Sequence, residues 1–371
     1  MRLIFTSYVN CPEYDQPEAW LKRIEAYTGI LQGLSYDHTV IGIERINYEG
    51  EYEQQGVHYF FIRLRRKIVR FPFRMHRLIK RLKPDVVFIN GFIFPLQIIQ
   101  LRLKLGRAVK IIVMHQAEKP FKGIKAYLQR LADKCVDAYL FASSEFGEQW
   151  TRNGNISEKK KIREVLHASS IFIPGNKEKA KLTLSITGSP VFLFVGRLDA
   201  NKDPITVVKA FINFLSFQPL ANLYMIYHTE DILNEVKKLI CQDEKVMKAI
   251  NLIGKITHEQ LQAWYNSADF IVSGSHYEGG GIAVCEAMSC GCIPLLTDII
   301  SFRRMTGPDK CGLLYEPGNA DDLLSTLLRT NEMNIEAERK KTLEQFKAEL
   351  SFEAIAKKIT EVINSLKSTN A

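Results

Sequence analysis

The 371-residue chain is 46% hydrophobic and 25% charged, which excludes a low-complexity or disordered protein and leaves apolar material for two cores. Its net charge of +9 is unevenly spread: residues 1–180 carry 30 Lys and Arg against 18 Asp and Glu, a balance of +12, and residues 181–371 carry 20 against 23, a balance of −3. Seven cysteines, odd in number and irregularly spaced, fit reduced thiols rather than a disulfide framework. The two halves should therefore face different partners, the first of them something anionic, either an acidic acceptor or a lipid surface.

The N-terminal MRLIFTSYVN reads as a first strand, with no small-residue cleavage site behind it to suggest a signal peptide. Further strand candidates in the first half are DHTVIGI, VHYFFIR, DVVFIN, VKIIVMH, AYLFAS and IREVLH. Helical stretches between them begin near Pro17 (EAWLKRIEAYTGILQGL), at Pro72 (FRMHRLIKRL) and near Lys122 (GIKAYLQRLADKC). The longest apolar run, VVFINGFIFPLQIIQL, is interrupted by Asn90, Gly91, Pro95 and Gln97 and falls short of the roughly 20 residues of a membrane span. The pattern lapses at 174–190, PGNKEKAKLTLSITGSP, which reads as a linker. It then restarts with VFLFVGRL, a helix from Pro204, NLYMIYHT, INLIGKI, DFIVSGS, CIPLLTD and GLLYE, and closes on the helical SFEAIAKKITEVINSLK. This alternation predicts two doubly wound α/β domains with ligands at the carboxyl ends of parallel strands.

Two segments carry chemistry. In FLFVGRLDANKDP an apolar strand runs into Gly196 and Arg197, with Lys202 five residues on. Glycine permits close approach of a ligand, and the two cations can bracket a diphosphate or simply face solvent. In SHYEGGGIAVCEAMSC a strand end turns through Glu278, Gly279, Gly280 and Gly281 into a helix opening at Ile282 and Ala283, whose free amides suit a phosphate. Glu286 lies about a turn inside that otherwise apolar helix, placed to accept hydrogen bonds from vicinal hydroxyls such as a ribose offers. Cys285, Cys290 and Cys292 beside it lack the paired spacing of metal ligands and read as buried small residues.

The E-x7-E pair Glu278/Glu286 with EAMSCGCIPLLTD, the segment VGRLDANKDPITVVKAF, and KCGLLYEPGNADDL occur in the order and at the spacing of the family 4 (GT4) retaining glycosyltransferases, the glycosyl transferases group 1. The chain resembles them over most of residues 190–330, and only in pattern before that. The resemblance implies the GT-B fold, two Rossmann-like doubly wound domains facing a central cleft. They are an acceptor-side domain at 1–175 and a nucleotide-sugar donor domain at 185–350, with a C-terminal helix at about 351–371 packing back on the first. It implies a hexosyltransferase that moves a sugar with retention from a nucleotide-sugar donor to a glycan or lipid-linked acceptor, in cell-surface polysaccharide or glycolipid synthesis. Arg197 and Lys202 would hold the diphosphate, Glu286 the ribose, and Glu278 the donor sugar at the reacting carbon. Gly196 and the backbone of Gly279, Gly280, Gly281, Ile282 and Ala283 would complete the site, and His115, ending VKIIVMH, takes the position of the family's active-site histidine. No cofactor is expected, and no divalent metal, because no D-x-D lies near the site. One departure stands out: where relatives often carry Gly-Gly after the first strand, this chain has Asp15, Gln16 and Pro17.

Residues 63–83, RLRRKIVRFPFRMHRLIKRLK, hold ten Lys and Arg and no acid. They read as the basic outer face of a packed helix or as a dock for an anionic membrane surface bearing the acceptor, not as a nucleic-acid site. The expected location is cytoplasmic, with peripheral attachment to the inner face of the membrane. The other readings are a GT-B protein of different activity, such as an epimerase, and a catalytically silent subunit.

Overall fold

The computed structural model describes residues 1–63, 70–308 and 310–368. The chain divides into two compact units, one of residues 1–169 with the C-terminal helix, the other of residues 170–351.

The first unit runs β1 (Arg2–Ser7), α1 (Pro17–Arg23), α2 (Glu25–Ser35), β2 (Thr39–Glu44), β3 (Gly50–Gln54), β4 (Val57–Phe61), α3 (Phe73–Arg81), β5 (Val86–Asn90), α4 (Pro95–Leu105), β6 (Lys110–Met114), α5 (Gly123–Asp133), β7 (Ala138–Phe141), α6 (Ser144–Arg152) and β8 (Ile162–Glu164). Its strands form one sheet in the order β3-β4-β2-β1-β5-β6-β7-β8, parallel throughout except for the β3–β4 pair. Strand β3, GEYEQ, escapes the hydrophobic pattern because it is a charged edge strand. Gln55 and Gly56, at φ +51° and +76°, make the left-handed two-residue turn that folds it back on β4.

The second unit runs α7 (Lys177–Leu184), β9 (Val191–Val195), α8 (Pro204–Phe214), β10 (Asn222–Ile226), α9 (Leu233–Ile240), α10 (Glu244–Ala249), β11 (Ile250–Gly254), α11 (His258–Ser267), β12 (Phe270–Ser273), α12 (Ile282–Ser289), β13 (Ile293–Thr297), α13 (Ile300–Thr306), β14 (Leu313–Tyr315), α14 (Ala320–Arg329) and α15 (Ile335–Gln345). Its parallel sheet has the order β11-β10-β9-β12-β13-β14. Strand β9 is apolar at every position because both faces are covered: Phe192 and Phe194 enter one core with Phe211 and Phe214, and Val191 and Leu193 enter the other with Trp264 and Tyr265.

Two local expectations are corrected. The composition of 174–190 marks a linker, yet residues 177–184 are helix α7, capped by the Asn176 side chain on the Lys179 amide at 2.8 Å, within the second unit. The long helix from Pro17 is two, broken at Ile24. Its second half, α2, lays Gly29 and Gly33 against Phe352 and Ala356 of the last helix, α16 (Phe352–Ser368). In the basic segment, residues 64–69 lie outside the described residues. From Phe73 the chain is α3, with Met75, His76 and Ile79 buried and Arg74, Arg77, Lys80 and Arg81 facing solvent. No helix among the described residues is long and apolar enough to cross a membrane.

Candidate functional site

The carboxyl ends of β9 and β12 meet in the second unit and bring together most of the residues singled out by sequence. Gly196 follows β9, and its place for a Cβ lies 3.7 Å from the Lys202 side chain. The turn behind it is built on Asp199, which accepts from the Lys202 amide at 2.9 Å and pairs through its other oxygen with Arg197 Nε at 3.1 Å. Arg197 remains half exposed. Asp203 adopts a left-handed conformation (φ +41°) and caps α8, accepting from the Thr206 amide and hydroxyl. Gly274, after β12, passes so close to the carbonyls of Lys202 and Asp203 that a Cβ would stand 3.0 and 2.7 Å from them. That close approach lets Lys202 reach Glu278.

Lys202 Nζ forms an ion pair with Glu278 Oε1, and the Ser275 hydroxyl donates to the same oxygen at 2.8 Å. Ser301 donates to the Glu278 carbonyl at 2.8 Å, and Thr297 to the Ser275 carbonyl at 2.6 Å, so the acid sits in a turn fixed from two sides. The residue that the resemblance assigns to the diphosphate and the one it assigns to the donor sugar are therefore partners of each other. Asp199, Ser275, Thr297 and Ser301 were missed: polar residues in turns, they reveal their role only once the fold brings them together.

Gly279 and Gly280 lead into Gly281, the N-cap of α12. Its φ of +55° and a Cβ that would meet Met305 Sδ and Phe302 at 3.0 Å require glycine there. Its carbonyl accepts from the Val284 and Cys285 amides, and Ile282 and Ala283 hold the first two helical positions, where no preceding turn supplies an acceptor. Glu286, one turn in, is only 5% exposed. Its carboxylate accepts from His258 Nε2 at 2.7 Å and from the Tyr265 hydroxyl at 3.0 Å, and Phe172 packs on the His258 ring at 4.8 Å. Tyr265 is wholly buried, and burial raises its pKa well above the ordinary value, with the Glu286 charge adding to the effect. Cys285, Cys290 and Cys292 are buried free thiols, the last donating to the Tyr265 carbonyl at 2.8 Å. Among the described residues no group of three or more His, Cys, Asp or Glu could hold a metal ion.

His115 belongs to the first unit, just beyond β6. It is 2% exposed among Phe92, Phe141, Phe146 and Trp150. Nε2 stands 2.7 Å from the Glu118 carbonyl, so that nitrogen carries the proton, and Nδ1 is a buried acceptor without a partner. Burial lowers the pKa of the ring, against the pull of Glu118. Glu118, which belongs to no motif singled out above, ties this loop down, accepting from the Phe92 and Gln116 amides at 2.7 Å each.

Residues 176–349 match the sequence profile of the family described as glycosyl transferases group 1. A GDP-mannose:cellobiosyl-diphosphopolyprenol alpha-mannosyltransferase from Xanthomonas oryzae pv. oryzae is 30% identical over 128 residues, 34% of this chain and 34% of that protein. A D-inositol 3-phosphate glycosyltransferase from Pseudarthrobacter chlorophenolicus is 25% identical over 219 residues, 58% of this chain and 52% of that protein. The chain thus spans about a third to a half of the length of these curated relatives. Among solved structures, a glycosyltransferase from Rickettsia africae superposes with a TM-score of 0.74 at 16% identity, covering 98% of each chain. HepE from Anabaena, solved in complex with UDP, gives 0.73 at 12% identity over 98% of this chain and 100% of that one. These likenesses show the GT-B fold, and the match to the glycosyl transferases group 1 profile lies in the second unit.

Proposed function

We propose that the protein transfers a sugar, with retention, from a nucleotide-sugar donor gripped by the second unit to a glycan or lipid-linked acceptor. The observation that carries this reading is the Lys202–Glu278 pair standing ahead of the α12 amides, a cation, a carboxylate and unpaired N–H groups on one strand-end turn. Breaking a sugar–phosphate bond builds negative charge on the departing diphosphate. Arg197, Lys202 and the amides of Ile282 and Ala283 meet that charge electrostatically, so no divalent metal is required. Glu278 takes the donor sugar beside the reacting carbon, Glu286 the ribose diol, and Gly196, Gly279, Gly280 and Gly281 let the ligand approach the backbone. His115 contributes from the first unit an acceptor, Nδ1, for a substrate hydroxyl.

Calorimetry with UDP, GDP and ADP, followed by turnover of a panel of nucleotide sugars, tests this. One nucleoside diphosphate should bind at least about tenfold more tightly than the others, and its sugar conjugates should turn over in the native protein but not in Glu278→Ala. Absence of binding and of turnover, with crude lipid and glycan acceptors present, returns the protein to the silent-subunit reading.

The acceptor-side reading extends to an anionic membrane surface. Phe71 and Phe73 are exposed and stacked at 5.9 Å beside Arg70, Arg77, Lys80 and Arg81, while Arg74 pairs with Glu49. Exposed aromatics within a basic face suit an anionic bilayer. Co-sedimentation with anionic vesicles at low salt should be lost in Phe71→Ser/Phe73→Ser, and no sedimentation of the native chain removes the idea.

A further inference from the structure

The carboxyl ends of β1 and β2 hold a buried charge that the reading above does not use. Arg45, the residue after β2, is 2% exposed. Its Nη1 donates to the Tyr8 carbonyl at 2.5 Å, and Nε and Nη2 have no hydrogen-bond partner. No acid pairs with it among the described residues. Its neighbour Glu44 is taken by the Trp20 indole N–H at 3.0 Å, and burial pushes that carboxyl up to about 7. Residues 64–69, LRRKIV, contain no acid either.

A guanidinium withdrawn from water with two donor nitrogens unmatched is strongly disfavoured unless something else supplies the acceptors. The free nitrogens are also informative as a pair. Nε and Nη2 form one edge of the guanidinium plane, the fork that matches two oxygens of a single phosphoryl or carboxylate group, while Nη1 anchors the plane from the opposite side. Parallel α/β sheets bind ligands at the carboxyl ends of their strands, and Arg45 stands at that end, beside β1 in the middle of the sheet. Beside it runs the loop 9–16, which carries Asp15 and Gln16. Two backbone bonds hold it alongside: the Cys11 amide donates to the Arg45 carbonyl at 2.9 Å, and the Asn47 amide to the Tyr14 carbonyl at 2.7 Å. The charge balance of +12 over residues 1–180 favours an anion further.

We propose that Arg45 is the anion receptor of the first unit, its Nε and Nη2 taking two oxygens of a phosphate or diphosphate carried by the acceptor, with the loop 9–16 lifting to admit it. Naming the acceptor as the carrier rests on the proposed sugar transfer, whereas the anion site itself rests on the first unit and stands apart from the roles given to Arg197 and Lys202.

The test uses the full chain carrying Arg197→Ala and Lys202→Ala, which removes both donor-site cations and leaves pyrophosphate little to hold there but the α12 amides, so the readout is the difference that Arg45 makes. Inorganic pyrophosphate should raise the melting temperature in this background. Arg45→Met should lose the shift and at least about tenfold in affinity, and Arg45→Lys, which keeps the charge without the fork, at least about threefold. Farnesyl diphosphate binding more tightly than pyrophosphate assigns the phosphate to a lipid-linked acceptor, and equal binding to a soluble one. No shift with Arg45 present, or the same shift with Arg45→Met, overturns the proposal. If Arg45→Met does not fold, unchanged affinity in Arg45→Lys overturns it.

Discussion

His258 Nε2 and Glu286 Oε1 stand 2.7 Å apart, joining the first residue of α11 to a carboxylate one turn inside α12. With Tyr265 on the other oxygen, each carboxylate oxygen keeps one lone pair for a ligand, and the plane in which a diol could be accepted is set by two side chains rather than one. Glu286→Gln should lower affinity for the preferred nucleoside diphosphate by about tenfold or more, the worth of a charge-assisted bond, and leave affinity for inorganic pyrophosphate unchanged. His258→Ala should cost about threefold to tenfold through loss of orientation. Calorimetry with both ligands reads this directly; equal losses for both would remove Glu286 from the ribose.

The ion pair of Lys202 with Glu278 predicts a separation of binding from turnover. Glu278→Gln releases Lys202 for phosphate, so nucleoside diphosphate affinity should hold or rise. Turnover should fall by about a hundredfold or more as a group beside the reacting carbon loses its charge. Lys202→Ala should weaken both. Steady-state kinetics beside product-binding calorimetry separate the two, and a parallel fall of affinity and turnover in Glu278→Gln would exclude a separable role for the pair.

Much of the second unit was legible because its strands are apolar on both faces and its turns carry glycines at positions of enforced backbone geometry, Gly281 above all. The pairing of Lys202 with Glu278 was not, since 76 residues separate them and only the passage of Gly274 against the Asp203 carbonyl brings them together. The first unit was read less well. Strand β3 is too polar to show a pattern; in the second unit, the lysine-rich helix α7 lies between turn-formers that mimic a linker. Arg45 was passed over because nothing in the local sequence distinguishes a buried arginine from an exposed one.

Leaving-group charge met by Arg197, Lys202 and helix amides predicts that sugar transfer survives chelation. Donor turnover in excess EDTA should stay within about twofold of the untreated rate. Loss restored by Mn²⁺ or Mg²⁺ would mean that the cations described do not suffice.

The C-terminal helix α16 is held to the first unit by Ile355, Ile359 and Ile363, and by the Phe352 ring, which lies 2.6 Å from where a Gly29 Cβ would project. Gly29→Val should therefore destabilise the first unit by about 1–3 kcal/mol through overpacking. Truncation after Ser351 should cost more, since it exposes that whole apolar row. Hydrogen exchange should show the loss in α2 and β2 and leave β9 and β12 protected; uniform loss across both units would contradict the assignment of α16.

Glu44 contributes a stability that falls as pH rises. Burial raises its carboxyl from the ordinary 4.5 to about 7, and only the Trp20 indole N–H offsets this; Tyr27, Tyr59 and the Cys11 thiol also feel its charge. Between about pH 4.5 and 7 the folded chain binds a proton that the unfolded chain has released. Stability from this group is therefore complete below 4.5, is lost as pH rises to 7, and stays constant above. The loss is about 3 kcal/mol at 1.36 kcal/mol per pKa unit. Buried His76 and His167, each pushed down to about 4 by burial, act in the opposite sense from about pH 4 to 6.5, so in the native chain they outweigh the Glu44 contribution over that range and the variant is needed to isolate it. Glu44→Gln removes one arm: it keeps an oxygen for the Trp20 indole and carries no charge. The variant should melt higher than the native chain at pH 8 and equally at pH 5, by thermal denaturation at the two pH values. An equal loss at both would mean that Glu44 is ionised throughout and paired with a cation, and Arg45, one residue away, would then have the partner its guanidinium otherwise lacks.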